Sequence, residues 1–357
     1  MILGRKIDDG PGPRLHESVG VLHMHTIYSD GTGTTDEIAR YAHERKLDWL
    51  IITDHEHLKA YDLGQEGKYG RVNVMIGSEL GDENLPNHYL AFDIDHVPDQ
   101  SDVAGYVRAV QEMGGFGAIA HPHEKRTAFK DMPPYPWTAW DAPIDGIEIW
   151  NQLSQWVEGL SRVNRLQRFL HPLKSLTRPE PETLSTWDLL NRHRPVVGYV
   201  GVDAHSLKYP LLGGLLHVKV FHYKVQFRSL LTHLLLEQPL SRKYEEAKRQ
   251  VYSALREGRH FGANHRVGRA NGFRFYAISG GERILPITRI DPGHEVTFVA
   301  QSPLDAEMVL VRNGTPVIRL HGRELRYTTH DDGIWRLETY RRGRGWVFTN
   351  PIRILPH

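Results

Sequence analysis

Histidines and carboxylates recur in this sequence at one kind of place, the end of a short apolar run. Residues 19–22 lead into His23-Met24-His25, where the two-residue alternation of a strand puts both imidazoles on one face. Two ring nitrogens at that spacing can grip one cation. Ser29-Asp30-Gly31 follows, a turn whose carboxylate can swing back over the strand end. A second run ends in Thr53-Asp54-His55 with Glu56-His57 behind it, and a third in Gly77-Ser78-Glu79, a carboxylate suited to bridging two cations. His88 opens the next run. Then come Ala120-His121-Pro122-His123 and Gly201-Val202-Asp203-Ala204-His205. Each feature alone is commonplace, because a single histidine at a strand end is usually a hydrogen-bonded rim residue. Recurrence changes this, since parallel α/β architectures collect their sites at the C-terminal ends of strands and one shared metal centre accounts for all of them. Asp54 is the weaker member, read as orienting His55 from behind. Glu148 and Asn151 flank the end of another apolar run, and Lys125 and Arg126 follow His121 closely. These four are the candidate substrate-binding residues.

The elements that must position these groups can be read from the same pattern. Apolar runs at 19–25, 49–53, 72–76, 89–94, 117–120, 146–150 and 196–202 alternate with amphipathic stretches, as βα units do around a parallel sheet or barrel. Thr34 and Glu37 have capping-box spacing and open a helix between the first two strands. A polar, proline-dotted stretch at 152–195 reads as a helix and loop inserted over one rim. Residues 227–236 and 244–257 read as helices. From about residue 266 the pattern turns to alternation with Asn313-Gly314 and Asp332-Gly333 as hairpin turns, so a small β-sandwich is expected there. The expected division is therefore residues 1–265 and 266–357. The histidines of the second part, His294, His321 and His330 among them, follow no strand-end pattern and are not expected to bind metal.

Composition narrows the chemistry. The chain of 357 residues has 22 histidines and no cysteine, so any metal must be held by nitrogen and oxygen, which suits Mn, Fe or Zn. The 44 Lys+Arg nearly cancel the 43 Asp+Glu, which disfavours an extended nucleic acid as partner. No long apolar run suggests a membrane span, and residues 1–14 lack the apolar centre of a secretion signal. A cytoplasmic protein with a small-molecule substrate and no membrane partner is expected.

Taken in order, His23-Met24-His25-Thr26 with Ser29-Asp30-Gly31, Thr53-Asp54-His55, Gly77-Ser78-Glu79, Ala120-His121-Pro122 and Asp203-Ala204-His205 resemble the PHP (polymerase and histidinol phosphatase) superfamily. The resemblance covers roughly residues 19–265. It implies a distorted (β/α)7 barrel holding two or three Mn, Fe or Zn ions. His23, His25, Glu79 and Asp203 would hold or bridge the first metals, His121 would complete the pair, and Asp30, His55 and His205 would suit a third, with His88 a further ligand. It implies hydrolysis of a small phosphate mono- or diester by a hydroxide bridging two metals, with Asp203, His55 or His205 moving the proton. Residues 346–352 (Trp-Val-Phe-Thr-Asn-Pro-Ile) resemble the tail of a PHP branch named for carbamate-insecticide hydrolases, which implies carbamate or amide cleavage as the alternative. An alternative of another class is a non-catalytic protein whose ions are structural.

Overall fold

The computed structural model describes residues 7–81, 86–99, 102–126, 133–161, 163–211 and 216–356. Strands come first and densely: β1 (His16–Leu22), β2 (Trp49–His55), β3 (Gly67–Tyr69), β4 (Val72–Leu80), β5 (Tyr89–Phe92), β6 (Phe116–Ile119), β7 (Gly146–Asn151) and β8 (Val197–Gly201). Helices α1 (Thr35–Glu44), α2 (Lys59–Asp62) and α3 (Val103–Glu112) lie between them. The capping box at the start of α1 forms as its spacing predicts, Thr34 accepting from the Glu37 backbone and Glu37 from that of Thr34.

Strands β1, β2 and β4 pair in parallel, as do β6, β7 and β8. Between these two sets β5 runs antiparallel to both β4 and β6. An antiparallel strand presents its start, not its end, at the edge where its neighbours finish. His88, which precedes β5, therefore arrives at the same rim as residues that follow their strands. The two ends of this sheet meet in one parallel bridge, Met24 to Ala204, with the His25 N–H donating to the Ala204 carbonyl at 3.0 Å. No continuous ladder joins β8 to β1 among the described residues. The result is a mixed α/β fold around a central sheet.

The stretch at 152–195 folds into α4 (Gln152–Glu158), α5 (Arg165–Leu170), a 3-10 turn (Pro172–Ser175) and α6 (Pro181–His193). A short hairpin, β9 (Lys208–Leu211) with β10 (Leu216–Lys219), and helix α7 (Tyr223–Gln226) come after β8. The predicted helix at 227–236 is instead strand β11 (Leu230–Leu236), antiparallel to β1 and buried along its whole length. An apolar run covered on both faces has no helical or strand periodicity to read. Helix α8 (Tyr244–Arg256) forms where expected, and β12 (His260–Asn264) then pairs with β11.

The remaining strands are β13 (Arg274–Ser279), β14 (Glu282–Ile284), β15 (Arg289–Ile290), β16 (Val296–Arg312), β17 (Thr315–Thr329), β18 (Gly333–Arg341), β19 (Arg344–Thr349) and β20 (Ile352–Ile354). Asn313-Gly314 is a two-residue hairpin turn with both φ angles positive, 51° and 85°. Asp332-Gly333 is not a hairpin turn, because β17 and β18 both pair with β16, one on each side. Arg342-Gly343, with φ of 52° and 71°, makes the hairpin between β18 and β19. Strand β12 pairs with β19 as well as β11, so hydrogen bonding runs without a break across residue 265. The apolar packing is more separate: one buried cluster draws mainly on residues beyond 260 and is joined by Leu15 and Leu235.

The inserted helices are tied to these later strands by a buried ion pair. Arg336 on β18 meets both oxygens of Asp188 on α6 at 2.7 and 2.8 Å, and Glu338 contacts the same guanidinium. Truncating one partner leaves a buried charge poorly compensated. Asp188→Ala should therefore cost about 3 kcal/mol of stability in urea unfolding, whereas replacing Asp188 and Arg336 together by Leu and Met should cost far less.

Candidate metal centre

Nine side chains converge at the rim where these strands end: His23, His25, Asp30, His55, Glu79, His88, His121, Asp203 and His205. Glu79 is the hub, and His55 is its direct cross-strand neighbour in the β2–β4 register. Its Oε2 lies 3.0 Å from His23 Nε2 and 3.2 Å from His25 Nε2. Its Oε1 lies 2.9 Å from His88 Nδ1 and 3.1 Å from His121 Nε2. Asp203 Oδ1 sits 3.5 Å from His23 Nε2 and 3.4 Å from His25 Nε2. On the outer side Asp30 Oδ2 is 3.0 Å from His205 Nε2, and Asp30 Oδ1 is 3.6 Å from His25 Nδ1. Glu79, His23 and His25 are almost wholly buried, while Asp30 is half-exposed.

This donor set fits metal ions. Two ligands about 2.1 Å from one cation, at octahedral to tetrahedral angles, are separated by about 3.0–3.4 Å, which is the spacing found here. Neither ring nitrogen of His25 makes a hydrogen bond, and His55 Nδ1 and His121 Nδ1 are also buried without one. Buried polar atoms are rarely left so unless something outside the protein satisfies them. Three of the converging residues, His23, His121 and Asp203, have positive φ of 66°, 29° and 51°. Such backbone strain in non-glycine residues concentrates where side-chain aim is functional.

A supporting layer fixes the aim. Glu148 Oε1 accepts from His23 Nδ1 at 2.9 Å, which leaves Nε2 free to face Glu79 and Asp203. The other Glu148 oxygen accepts from the His121 backbone N–H at 2.8 Å and from Asn151 Nδ2 at 2.7 Å. Asn151 also donates to Asp203 Oδ2 at 3.2 Å and caps α4 through Ser154. Of the four residues expected to bind substrate, Glu148 and Asn151 are buried behind the donors, where they position side chains, and neither lines the central cavity. Lys125 does not line it either and makes an exposed ion pair with Glu182. Arg126 does line the central cavity, a space of about 280 Å³. It pairs with Glu124 at 2.9 Å, lies over the Tyr135 ring and keeps a buried Nε without a partner, while Tyr135 stacks on His88. Asp54 holds the loop carrying Asp30, accepting from the Thr26 backbone at 2.6 Å, Thr26 Oγ1 at 2.7 Å and Ser29 Oγ at 2.6 Å, instead of orienting His55.

Two histidines of the same strand-end runs stay outside the cluster. His57 meets the Tyr28 carbonyl and His123 the Thr183 hydroxyl. The sequence reading missed Tyr223, whose hydroxyl donates to the His25 carbonyl at 2.7 Å and accepts from the Thr32 and Gly33 amides. It also missed the cavity's apolar wall of Leu153, Val157 and Leu207. Nothing in their local sequence marks these residues, because elements separated by tens of residues bring them together. No histidine after residue 205 joins the metal-type groups among the described residues.

Burial disfavours a charged imidazole, yet the carboxylates prevail at three positions, and Asp203, Glu148 and Glu79 hold His23 well above the usual imidazole range. His25 is pushed up to about 10 by Asp203 and Glu79, and His121 to about 9 by Glu124 and Glu79. His55 goes the other way, to about 4, because burial dominates there. Metal-free protein at pH 7.5 should therefore carry protons on His23, His25 and His121 that a cation must displace. Zinc titration calorimetry in buffers of different ionisation enthalpy should show release of on the order of three protons, and affinity should rise with pH until about pH 10.

Among solved structures, a two-domain protein from Bacteroides vulgatus, described as containing a candidate PHP-like metal-dependent phosphoesterase, aligns over 97% of this chain and 99% of its own, with 14% identity and a TM-score of 0.48. A candidate metal-dependent phosphoesterase from Bifidobacterium adolescentis aligns over 58% of this chain and 94% of its own at 16% identity, TM-score 0.32. An amidohydrolase from Chromobacterium violaceum with bound sulfate aligns over 52% and 87% at 14% identity, TM-score 0.31. No curated protein matches the chain. The family model for the PHP domain matches residues 22–135, a span that carries every converging side chain except Asp203 and His205.

Proposed function

We propose that the chain is a metal-dependent hydrolase that cleaves a small phosphate mono- or diester at a centre of two or three Mn, Fe or Zn ions. The observation that carries this reading is Glu79, a buried carboxylate with both oxygens within hydrogen-bonding distance of imidazoles from several strands. Ions bound there would supply a water of lowered pKa and neutralise charge on the attacked group. The chain's own residues do the remaining work. Glu148 and Asn151 hold His23, His121 and Asp203 in place from behind. Arg126, stiffened by Glu124 and Tyr135, offers its free Nε to an anionic oxygen in the cavity. Asp203, His55 and His205 border that cavity and are the candidates to move a proton.

The larger architecture is read in the same spirit. The single bridge from β1 to the end of β8 supports a distorted barrel for residues 1–265, and the separate apolar cluster supports a β-sandwich for 266–357. Carbamate or amide cleavage is the second reading. It is favoured by the Glu124 partner, which already neutralises Arg126, and by the apolar wall of Leu153 and Val157.

Metal analysis of the purified chain, coupled to a panel of phosphate monoesters, diesters, carbamates and amides, tests both readings. Glu79→Gln should abolish turnover of the preferred substrate while circular dichroism remains near wild type, and full activity in that metal-replete variant would remove the bridging role. Arg126→Ala should lower kcat/KM on a phosphate ester by about 2–4 kcal/mol of transition-state stabilisation, with little effect on a neutral ester. Equal small losses on both would favour the carbamate or amide reading.

A further inference from the structure

The converging donors rest on two separate supports. Behind His23, His121 and Asp203 stand Glu148 and Asn151. The outer group of His25, Asp30, His55 and His205 is supported elsewhere. His25, His205 and the turn that carries Asp30 all present backbone groups to one atom, the hydroxyl oxygen of Tyr223. It lies 2.7 Å from the His25 carbonyl and 3.1 Å from the His205 carbonyl. It also lies 3.1 Å from the backbone nitrogens of Thr32 and Gly33, which follow Asp30 directly. A phenol donates one proton and accepts at its oxygen, so it takes both amides and gives its proton to a carbonyl, His25 being the nearer. Asp54 grips the upstream side of the turn, at Thr26 and Ser29.

The chain is shaped to let that hydroxyl in. A Cβ on Gly31 would collide with the His25 carbonyl oxygen and stand 2.8 Å from the Tyr223 hydroxyl, and one on Gly33 would stand 2.7 Å from the edge of the Tyr223 ring. Tyr223 is itself anchored. It opens α7, which His222 caps, and Arg45 beyond α1 donates to the Lys224 carbonyl at 3.1 Å. Burial pushes the phenol up to about 12, so its proton stays in place at neutral pH. Phenylalanine would fill the same space as well. The meeting of two amides and two carbonyls at one oxygen is what calls for tyrosine.

We infer that Tyr223 is the positioning residue of the outer metal position, its hydroxyl holding Asp30 and His205 where they share a cation with His25. The inference rests on the metal-centre reading and stands whichever bond the centre cuts. His25 has a further anchor, its N–H donating to the Ala204 carbonyl at 3.0 Å, so Asp30 and His205 are the donors that loosen without the hydroxyl. The donors held by Glu148 and Asn151 stay in place. Outer and inner ions are therefore separable through a residue that contacts neither.

Zinc binding to the full chain, freed of metal by chelation and followed by calorimetry and elemental analysis, tests this without recourse to turnover. Asp30→Asn marks which binding step belongs to the outer position. Tyr223→Phe should weaken that same step by roughly 10–100-fold, the usual loss when a partner behind a ligand is removed, and leave the other steps within about twofold of wild type. Gly33→Ala, which displaces the ring but keeps the hydroxyl, should do the same, and it decides the matter if Tyr223→Phe fails to fold by circular dichroism. An Asp30-dependent step that these variants leave unchanged would overturn the inference and spare the metal centre. Equal weakening of every step would also overturn it, by making Tyr223 a general support of the fold. So would zinc steps in the wild-type chain that Asp30→Asn leaves untouched, whereas no zinc uptake at all would remove the metal reading beneath it.

Discussion

A carboxylate at 1% exposure, ringed by imidazoles, is the constraint around which the rest of this fold is arranged. Glu79 sits near the end of β4, a strand buried at every position, so its charge has no water to lean on. Burial alone would drive it to protonate. The surrounding histidines hold it well below the usual carboxylate range instead, His23 foremost by its charge and, with His121, by hydrogen bonding. Meeting that requirement needs donors from several strands at one height. The parallel strands supply residues at their ends, and β5, running the other way, supplies His88 from its start. Positive φ at His23, His121 and Asp203 is the local backbone cost of that convergence.

Convergence also explains the layer behind the donors. One Glu148 carboxylate serves the His23 ring, the His121 backbone and the Asn151 amide, and Asn151 passes the constraint on to Asp203 and to the first turn of α4. Tyr223 and Asp54 do the same for the backbone of His25 and for the loop that carries Asp30. A displaced helix α4 would therefore disturb Asp203 directly. The inserted helices are part of the centre's support as well as a wall of its cavity.

The donors were legible in the sequence because each is a polar residue at the boundary of an apolar run, a local feature that strand geometry turns into a shared rim. His23, His25, Glu79, His121, Asp203 and His205 could be picked out on that ground, and the structure gathers them with Asp30, His55 and His88. What local pattern cannot carry is partnership. Glu148 and Asn151 were visible as rim residues, yet their role depends on contacts with His23 and Asp203, more than fifty residues away. Lys125 and Arg126 are adjacent and alike in charge, and only the fold turns one outward to Glu182 and the other into the cavity. The run at β11 was misread for a related reason: buried on both faces, it shows no alternation to distinguish strand from helix.

The charge of the centre, more than its shape, decides what the cavity accepts. Glu79, Asp203 and Asp30 face the donor set, and Glu148 lies directly behind it. Glu124 cancels the charge that Arg126 brings to the cavity lining. With neutral imidazoles, two divalent ions held by these residues would bring the assembly to about zero net charge and three would bring it to about +2. A near-neutral centre is indifferent to a phosphate dianion and suits a neutral carbonyl compound, whereas a centre near +2 draws the dianion in. On the proposed reading, the choice between the two chemistries then rests on the outer position, where Asp30 meets His25, His55 and His205. Asp30 is the half-exposed member of that group, and its loop is fixed by hydrogen bonds from Thr26 and Ser29 to Asp54. On that reading, specificity would be set by whether a short turn after β1 keeps one carboxylate over the rim.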